Sequence, residues 1–462
     1  MKIKLLFLLL SFTCFHFVQA QITFQKTYGT PKNDWGYGVT QTFDGGYALA
    51  SVYDSNKIAI IKTDSIGDTT WVKMYPYLIA NINWGDFIIQ TSDSNYVLVG
   101  GAADSSGFML KVNSIGDTLW LKKLPNNTYM NILHKVIEDK FGNLIVVGET
   151  YVGKPTVCCA PIMFKADHLG NTIWSLPINC PYPTGCRLQE VYIDKFDGNY
   201  LVTGDAPAYG PPVLRLVKLD TAGKYIWNSV FTSISASISS VISTRDSGYL
   251  CTGESWTYDS LPLYKIDKKG NLKFYKGYPD SNSSASVIDT TTGGYLIAGQ
   301  KHIYSTNYDL FLSKLDTNYN VLWNASFGGS NTEQFGYMKA TSDGGAVLVG
   351  STNSFGAGEY DAYLVKTNYK GLITGQNVIS VAQNGISISP NPFSQKTIIK
   401  TEKNFSNATL TLYNSLGQVV RTLNGITGKE FALNRGNLPP GIYLLRITQE
   451  GKVASSKLII ED

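Results

Sequence analysis

One ten-residue pattern, written seven times between residues 62 and 375, constrains this chain more than any other feature. Each copy begins with a lysine, has Asp or Asn two residues later, and Gly or Tyr at its sixth position. In six copies an aromatic residue stands nine positions after the lysine, as Trp71 does after Lys62. The lysines are Lys62, Lys111, Lys165, Lys218, Lys265, Lys314 and Lys366, and successive ones are 47 to 54 residues apart. A period of this length is typical of propeller blades or solenoid coils.

The aromatic residue that the seventh copy lacks reappears at the other end of the sequence. Gly375 stands where it is expected, whereas residues 24–28 read like residues 71–75. If residues 22–28 supply the last strand of the seventh unit, both ends of the array pair in one sheet, and no open strand edge invites aggregation. A solenoid needs no such exchange, so the sequence favours a closed ring.

A second motif divides each unit into four short strands. Copies such as Asp44-Gly45-Gly46 precede an apolar run, which is a hairpin signal because Gly and Asp adopt positive φ angles readily. Strand a ends at this turn, strand b follows it, strand c ends at the lysine, and strand d holds the aromatic residue. Four antiparallel strands in each of seven units predict an all-β fold with a seven-bladed β-propeller over residues 21–372.

Alternating strand directions assign the turns to two opposite faces of the propeller. The a–b and c–d turns carry the motifs and share one face, here named the repeat face. The b–c and d–a loops vary in length and share the other, the loop face, where we expect any ligand to bind. The repeated lysine indicates structure more than a site: Lys62 can pair with Asp64, or Asp64 can cap its own turn.

Composition and the first twenty residues indicate an exported protein. Charged residues make up 16% of the chain, and the formal net charge is +4, with most of the excess at the two ends. A nearly neutral middle argues against nucleic acid as a partner, because that partner requires a basic footprint. Lys2, Lys4, an apolar run and a small-residue site ending at Ala20 predict a signal peptide over residues 1–20. No later segment is apolar enough to predict a transmembrane span.

The pattern changes after a short polar linker at residues 373–385. Alternating strands at 397–401, 409–413, 418–423, 429–433, 442–448 and 453–460 predict a small immunoglobulin-like β-sandwich over residues 386–462. Its motif residues are Pro390, Asn391, Pro392, Gly417, Pro440, Gly441 and Tyr443.

These motifs, in this order, resemble the C-terminal sorting domain of the type IX secretion system of Bacteroidota. The resemblance covers about a sixth of the chain. It implies passage through the periplasm and across the outer membrane, with the type IX machinery as partner, followed by release or attachment to the cell surface. The propeller repeats also look like repeats common in such secreted proteins, a likeness that implies no chemistry.

Candidate ligand-binding residues are aromatic and lie in the predicted loops. Exposed aromatic side chains can stack on sugar rings or anchor a protein partner, although packing of the loops over the blades explains them as well. The candidates on the loop face are Tyr151, Tyr209, Trp256, Tyr258 and Tyr304.

Four cysteines in neighbouring loops suit an oxidising compartment. They are candidates for one or two disulfides, and the sequence leaves their connectivity open. These residues are Cys158, Cys159, Cys180 and Cys186.

The sequence therefore predicts a secreted or surface-attached, non-catalytic binding propeller whose ligand is a glycan or a surface protein. It contains no local catalytic motif and no Cys/His cluster at metal spacing, so we expect no cofactor and no metal site. The alternative is a secreted glycan-active enzyme, a hydrolase or lyase, with its site on the loop face.

Overall fold

The structure is a computed structural model that consists of strands joined by turns and loops. It describes residues 22–79, 87–124, 130–152, 158–178, 187–205, 214–231, 238–254, 260–279, 283–290, 293–304, 307–373, 386–391, 393–414, 419–449 and 452–461. In these ranges the propeller repeats form seven four-stranded antiparallel sheets, and the C-terminal residues form one five-stranded sheet. The predicted all-β propeller fold is confirmed.

Each repeat contributes one sheet, numbered here in chain order. After β1 (Phe24–Tyr28), sheet 1 comprises β2 (Trp35–Gln41), β3 (Tyr47–Tyr53), β4 (Lys57–Thr63) and β5 (Thr69–Ile79). Sheet 2 comprises β6 (Phe87–Gln90), β7 (Tyr96–Gly101), β8 (Gly107–Val112) and β9 (Thr118–Lys123). Sheet 3 comprises β10 (Met130–Glu138), β11 (Leu144–Val152), β12 (Cys158–Ala166) and β13 (Thr172–Pro177). Sheet 4 comprises β14 (Arg187–Ile193), β15 (Tyr200–Asp205), β16 (Leu214–Leu219) and β17 (Tyr225–Phe231).

The remaining propeller sheets follow the same order of strands a to d. Sheet 5 comprises β18 (Ser240–Ser243), β19 (Tyr249–Thr252), β20 (Ser260–Ile266) and β21 (Leu272–Pro279). Sheet 6 comprises β22 (Ser283–Asp289), β23 (Tyr295–Tyr304), β24 (Asn307–Leu315) and β25 (Val321–Phe327). Sheet 7 comprises β26 (Glu333–Ala340), β27 (Ala346–Thr352), β28 (Asp361–Thr367) and β1.

The ring closes through the strand that the displaced aromatic residue predicted. Strand β1 pairs antiparallel with β28, and Phe24 lies opposite Lys366 as Trp71 lies opposite Lys62 in sheet 1. Sheets 7 and 1 also contact each other directly, because Ser342 N donates to Gln41 Oε1 at 2.8 Å. First and last repeats are therefore neighbours, which a solenoid would not allow.

A repeated hydrogen bond ties each of several strands d to the c–d turn of the next sheet. Tyr75 OH donates to Gly116 O at 3.1 Å, and Tyr278 OH donates to Tyr319 O at 2.7 Å. Tyr28 OH of β1 makes the same bond to Gly67 O at 2.7 Å. The closing strand thus contacts sheet 1 as an ordinary strand d contacts its neighbour.

The C-terminal sheet differs from the prediction in the length of its strands. It comprises β29 (Ile386–Ser389), β30 (Lys396–Tyr413), β31 (Val419–Asn434), β32 (Gly441–Gln449) and β33 (Lys452–Ile460). The strands predicted separately at 397–401 and 409–413 are one continuous β30, and those at 418–423 and 429–433 are one β31. Register shifts around Phe405 and Ala408 bend this long hairpin, and both of its halves pack on one core that includes Ile399 and Leu445.

Candidate functional site

The repeated lysine pairs with the acid of its own a–b turn. Lys62 Nζ donates to Asp44 Oδ2 at 2.8 Å, and in sheets 2 to 5 and sheet 7 the lysine likewise bonds an aspartate near its a–b turn. Asp64 instead caps its own turn, because its Oδ1 accepts from Ile66 N at 3.0 Å and Asp68 N at 2.7 Å. The sequence left open whether Asp64 pairs with Lys62 or caps its own turn, and the structure shows the cap.

Sheet 6 lacks the acid and shows why the lysine is structural. Lys314 bonds Thr290 Oγ1 there and the carbonyl of Gly293 at 2.6 Å. The lysine thus ties strand c to the a–b turn whether or not an aspartate is present.

The innermost strands bring seven equivalent positions together around the axis. Each lies opposite the same position of its strand b, and in five sheets a register shift of the β-bulge kind immediately precedes it. These positions hold Gly38, Phe87, Lys135, Glu190, Ser240, Ser286 and Tyr337. A bulge re-aims the side chains that follow it, so it is a common device next to a site.

Four of these residues form a buried cluster, here named the axial cluster: Phe87, Lys135, Glu190 and Tyr337. Lys135 Nζ donates to Glu190 Oε2 at 2.9 Å and to Tyr337 OH at 2.5 Å. The same ammonium lies 3.7 Å from the Phe87 ring centroid and 3.8 Å from that of Tyr337. Side chains from sheets 2, 3, 4 and 7 therefore meet at the axis and fill it at this level.

Burial perturbs the charges of the axial cluster. It lowers the pKa of Lys135 to about 8, and the ion pair with Glu190 offsets only part of that effect. Burial also raises the pKa of Glu190, although Lys135 favours its ionised form. A strongly perturbed pair at the axis is a candidate functional feature, but buried structural pairs show the same shifts.

A second feature is a pair of carboxyl groups on the loop face between sheets 6 and 7. Asp309, near the start of β24, lies beside Glu333 at the start of β26, and the carboxyl groups of both residues approach Gly328. Glu333 is fully buried, and its Oε1 accepts from Thr352 Oγ1 at 2.6 Å. Desolvation, followed by the neighbouring Glu333, raises the pKa of Asp309 to about 7. Asp309 therefore holds its proton to a higher pH than an exposed aspartate does.

The seam between sheets 7 and 1 repeats this arrangement with its carboxylates bound to backbone. Asp361 takes the position of Asp309 and accepts from Ala357 N at 2.8 Å and Gly358 N at 3.0 Å. Asp34 takes the position of Glu333 and accepts from Thr30 N at 2.7 Å and Asp54 N at 2.6 Å. Both aspartates are buried. Their carboxylates therefore hold the backbone N–H groups of the surrounding loops in place.

Above these aspartates two aromatic side chains form what we name the aromatic platform, Trp35 and Tyr360. Their rings stack with centroids 6.4 Å apart and an interplanar angle of 26°. Both side chains are partly exposed. Tyr360 is held by its backbone, because its carbonyl accepts from Asp34 N at 2.7 Å. Trp35 begins β2 and packs partly on the core between sheets 1 and 2. The platform therefore presents its remaining ring surface on backbone that is already ordered.

A third polar group lies between sheets 3 and 4 on the same face. His134 Nε2 is 3.3 Å from Glu149 Oε1, and Arg187 Nε is 4.0 Å from Glu149 Oε2. Glu149 is fully buried. Its charge is matched locally by the arginine, which explains how a carboxylate is tolerated there.

Most of the candidate residues named from the sequence lie where the structure gives no side-chain description. Tyr209, Trp256, Tyr258, Cys180, Cys186, Pro392 and Gly417 lie outside the described residues. The backbones of Tyr151, Cys158, Cys159 and Tyr304 are described, and β11 and β12 place Tyr151 opposite Cys159. The roles of these aromatic and cysteine residues stay predictions.

The described motif residues of the C-terminal domain support its turns and edges. Asn391 Oδ1 accepts from Ile459 N at 2.8 Å and so ties the first segment to the last strand. Tyr443 OH donates to Pro439 O at 2.7 Å across the Pro-Pro-Gly turn, where Gly441 follows Pro440. Pro390 O accepts from Thr397 Oγ1 at 2.6 Å.

The axial cluster and the carboxyl pairs were missed by sequence reasoning. Lys135 and Tyr337 are 202 positions apart, and no local motif links them. Alignment of the repeats offered a signal, because Tyr308-Asp309 and Tyr360-Asp361 both stand five residues before their repeat lysine.

Comparison with known proteins identifies the C-terminal domain. No curated protein sequence matches the chain. Among solved structures it resembles a polysaccharide lyase, an ulvan lyase, at 9% identity and a TM-score of 0.48, covering 74% of this chain and 96% of that one. It also resembles a protein of unknown function from Dyadobacter fermentans at 11% identity and a TM-score of 0.47, covering 74% and 98%.

Two findings bear on location. No helix of the described residues is long and apolar enough to cross a membrane. Residues 387–461 match the family model of the secretion system C-terminal sorting domain. The chain therefore carries a type IX sorting domain at its C-terminus and is a protein exported to the cell surface or beyond it.

Proposed function

We propose that the propeller is a non-catalytic binding module whose loop face holds a glycan or a surface protein outside the cell. The observation that carries this proposal is the aromatic platform of Trp35 and Tyr360. Tyr and Trp combine a large apolar area with few rotatable bonds, which is why they dominate binding hot spots. The sorting domain supports the location of this activity.

Preorganised loops support the same function. The carboxylates of Asp34 and Asp361 accept hydrogen bonds from loop backbone on both sides of the platform. A surface that is ordered before its ligand arrives loses less conformational entropy on binding. In this proposal the buried carboxylates of Asp34 and Asp361 order the platform for binding as well as stabilising the fold.

A glycan array probed with the full secreted chain tests the proposal. Replacing Tyr360 with serine removes one ring of the platform, and we expect it to weaken binding by roughly tenfold or more. Tyr369→Ser is the matched control, because Tyr369 is exposed on the opposite, repeat face. Equal weakening by both substitutions would contradict a site at the platform.

A secreted glycan-active enzyme is the second candidate, favoured by the carboxyl pair of Asp309 and Glu333. A carboxyl group that keeps its proton near pH 7 is suited to general acid catalysis. The two groups touch each other, however, whereas the carboxyl groups of most glycosidases stand roughly 5–9 Å apart on either side of the bond. Release of reducing ends by the wild-type chain, abolished by Asp309→Asn, would replace the binding module with the enzyme.

A further inference from the structure

The seven repeats provide an internal standard for the exposed positions of the repeat face. Four such positions recur: the second residue of the a–b turn, the two central residues of the c–d turn, and the residue before the strand-d aromatic. In sheets 1 to 3 the second central residue of the c–d turn and the residue before the strand-d aromatic are mostly apolar and exposed. Ile66, Ile115 and Leu169 are examples from the c–d turn. Sheet 5 differs from all the others.

In sheet 5 all four positions are basic. They hold Arg245, Lys268, Lys269 and Lys273, whereas no other sheet has more than one Lys or Arg at the same four positions. Four independent departures from a repeat, all of one sign and all on one sheet, are not explained by the architecture that the repeat serves.

Three of these side chains, those of Lys268, Lys269 and Lys273, border a surface cavity of about 340 Å³, and Arg245 directly precedes its lining residue Asp246. Its lining comes from the a–b turn at residues 246–248 and from the c–d turn with its flanking strands, including Lys268, Lys269 and Lys273. The cavity is therefore open to solvent between two hairpin turns of the same sheet.

The acids at this cavity are already paired. Lys265 Nζ donates to Asp246 Oδ1 at 2.8 Å, and Lys273 Nζ lies 3.4 Å from Asp267 Oδ2. The pKa of Asp267 is held at about 2, chiefly by the backbone N–H of Asn271. For Asp246 burial alone would raise the pKa, but the bonds from Lys265 and Thr244 outweigh it and hold it at about 2.

The remaining bases are in excess. Arg245, Lys268 and Lys269 form no ion pair with any residue in the parts of the chain that the structure describes. Two lysine charges are balanced by two aspartates, so the charges of Lys268 and Lys269 are left in excess at the cavity, and Arg245 adds a third on the adjoining a–b turn. Such a concentration of like charge raises the local concentration of anions.

Closure of the ring does not require these lysine side chains. The contact from sheet 5 to sheet 6 is made by Lys276, whose Nζ donates to Tyr319 O at 2.7 Å. Toward sheet 4, Lys268 contributes only its carbonyl, which accepts from Trp227 Nε1 at 3.1 Å. Any residue could supply that carbonyl, so the ammonium groups are available to a ligand.

We propose that the repeat face of sheet 5 binds an anionic polysaccharide through its sulfate or carboxylate groups. A polymer fits better than a single ion, because the excess charges of Arg245, Lys268 and Lys269 are spread over two turns. Tyr275, two residues beyond Lys273 on β21, is 47% exposed and adds an aromatic surface to the same strand. The site lies on the face opposite the aromatic platform, so it stands whether or not the proposed loop-face function does.

Immobilised dextran sulfate tests the site, with uncharged dextran as the matched polymer. We expect the full secreted chain to bind dextran sulfate and not dextran, and its affinity to fall as salt is raised because the contacts are solvent-exposed. The triple variant Lys268→Gln, Lys269→Gln, Lys273→Gln should lose about tenfold in affinity, because each solvent-exposed charge contributes only modestly.

The control removes the same charge from the same face. Lys140→Gln, Lys195→Gln, Lys370→Gln changes turns of sheets 3, 4 and 7, and we expect it to alter affinity by less than twofold. An equal loss of affinity in both triple variants would mean that only net charge matters and would overturn the site. A wild-type chain that binds neither dextran sulfate nor polygalacturonate would also overturn it. Binding of polygalacturonate would assign carboxylate as the group recognised, and binding of dextran sulfate alone would assign sulfate. Unchanged thermal unfolding of both variants would show that each is folded.

Discussion

Single residues have the largest expected effect in the axial cluster, where Lys135 and Glu190 are buried together. Lys135→Met leaves the Glu190 carboxylate without its ion pair in a site that water does not reach. We expect the free energy of unfolding to fall by about 3–5 kcal/mol. Adding Glu190→Gln removes the unpaired charge and should recover most of the loss. Urea unfolding measures both variants, and a double variant no more stable than the single one would contradict this account.

The carboxyl pair of Asp309 and Glu333 predicts how stability depends on pH. The pKa of Asp309 is raised from 3.8 to about 7 in the folded protein, so the folded state binds the proton more tightly than the unfolded state. This contribution is present in full below about pH 4 and is lost as the pH rises through 7. Asp309→Asn keeps a hydrogen bond to Glu333 without titrating.

Melting temperatures measured from pH 4 to pH 8 check this prediction. The Asp309→Asn variant should lose part of the decline that the wild-type chain shows toward pH 7. Asp68→Asn removes an exposed carboxylate and should keep the wild-type slope. A slope identical in all three proteins would mean that the surroundings of Asp309 do not raise its pKa.

Residue partners were predictable from the sequence only where the partners are local. The cap that Asp64 makes on its own turn follows from turn chemistry within five residues. The bond from Lys62 to Asp44 spans 18 positions, and it depends on strands b and c pairing in one register. The contact between Lys135 and Tyr337 depends on ring closure as a whole, so no reading of either neighbourhood reveals it.

At the scale of elements, strand β1 gives the sharpest experiment. A chain lacking residues 22–28 should leave β28 as an open edge and lose the contacts of Phe24 and Tyr28, both of which are buried. We expect a lower melting temperature and a tendency to aggregate. A synthetic peptide of residues 22–30 should raise the melting temperature again in proportion to its concentration, because it binds only the folded ring.

The matched control peptide has serine in place of Phe24 and Tyr28. It keeps the backbone pairing but loses the edge-to-face contact of Phe24 with Tyr47, at 5.7 Å between ring centroids, and the hydrogen bond from Tyr28 to sheet 1. If the two peptides act alike, or neither acts, closure does not depend on the side chains that identified the strand.

Element prediction succeeded where a repeat supplied the same evidence several times. Each D-G-G turn and each lysine motif marks a hairpin, and together they indicated the strands of all seven sheets. The C-terminal domain has no repeat, and the strands predicted at 418–423 and 429–433 left a break that contains Gly425 and Gly428. In the structure both adopt positive φ within a continuous β31, because long strands absorb such residues as bends in a hairpin.

The whole molecule combines a closed propeller with a domain that has a core of its own. Phe393, Ile399 and Leu445 belong to a cluster made entirely of C-terminal residues, whereas the propeller cores lie between its sheets. Since each part buries its own apolar side chains, removal of residues 387–461 should leave the propeller folded.

Export should then fail although folding succeeds. In a host with type IX secretion, we expect the shortened chain to stay in the periplasm with the melting temperature of the intact propeller, because the matched sorting domain is what the machinery handles. Fractionation followed by detection of the propeller measures its location, and a reporter fused to residues 386–462 should be exported in its place. Appearance of the shortened chain outside the cell would show that the propeller itself carries an export signal, and an unfolded periplasmic product would show that the two parts fold together.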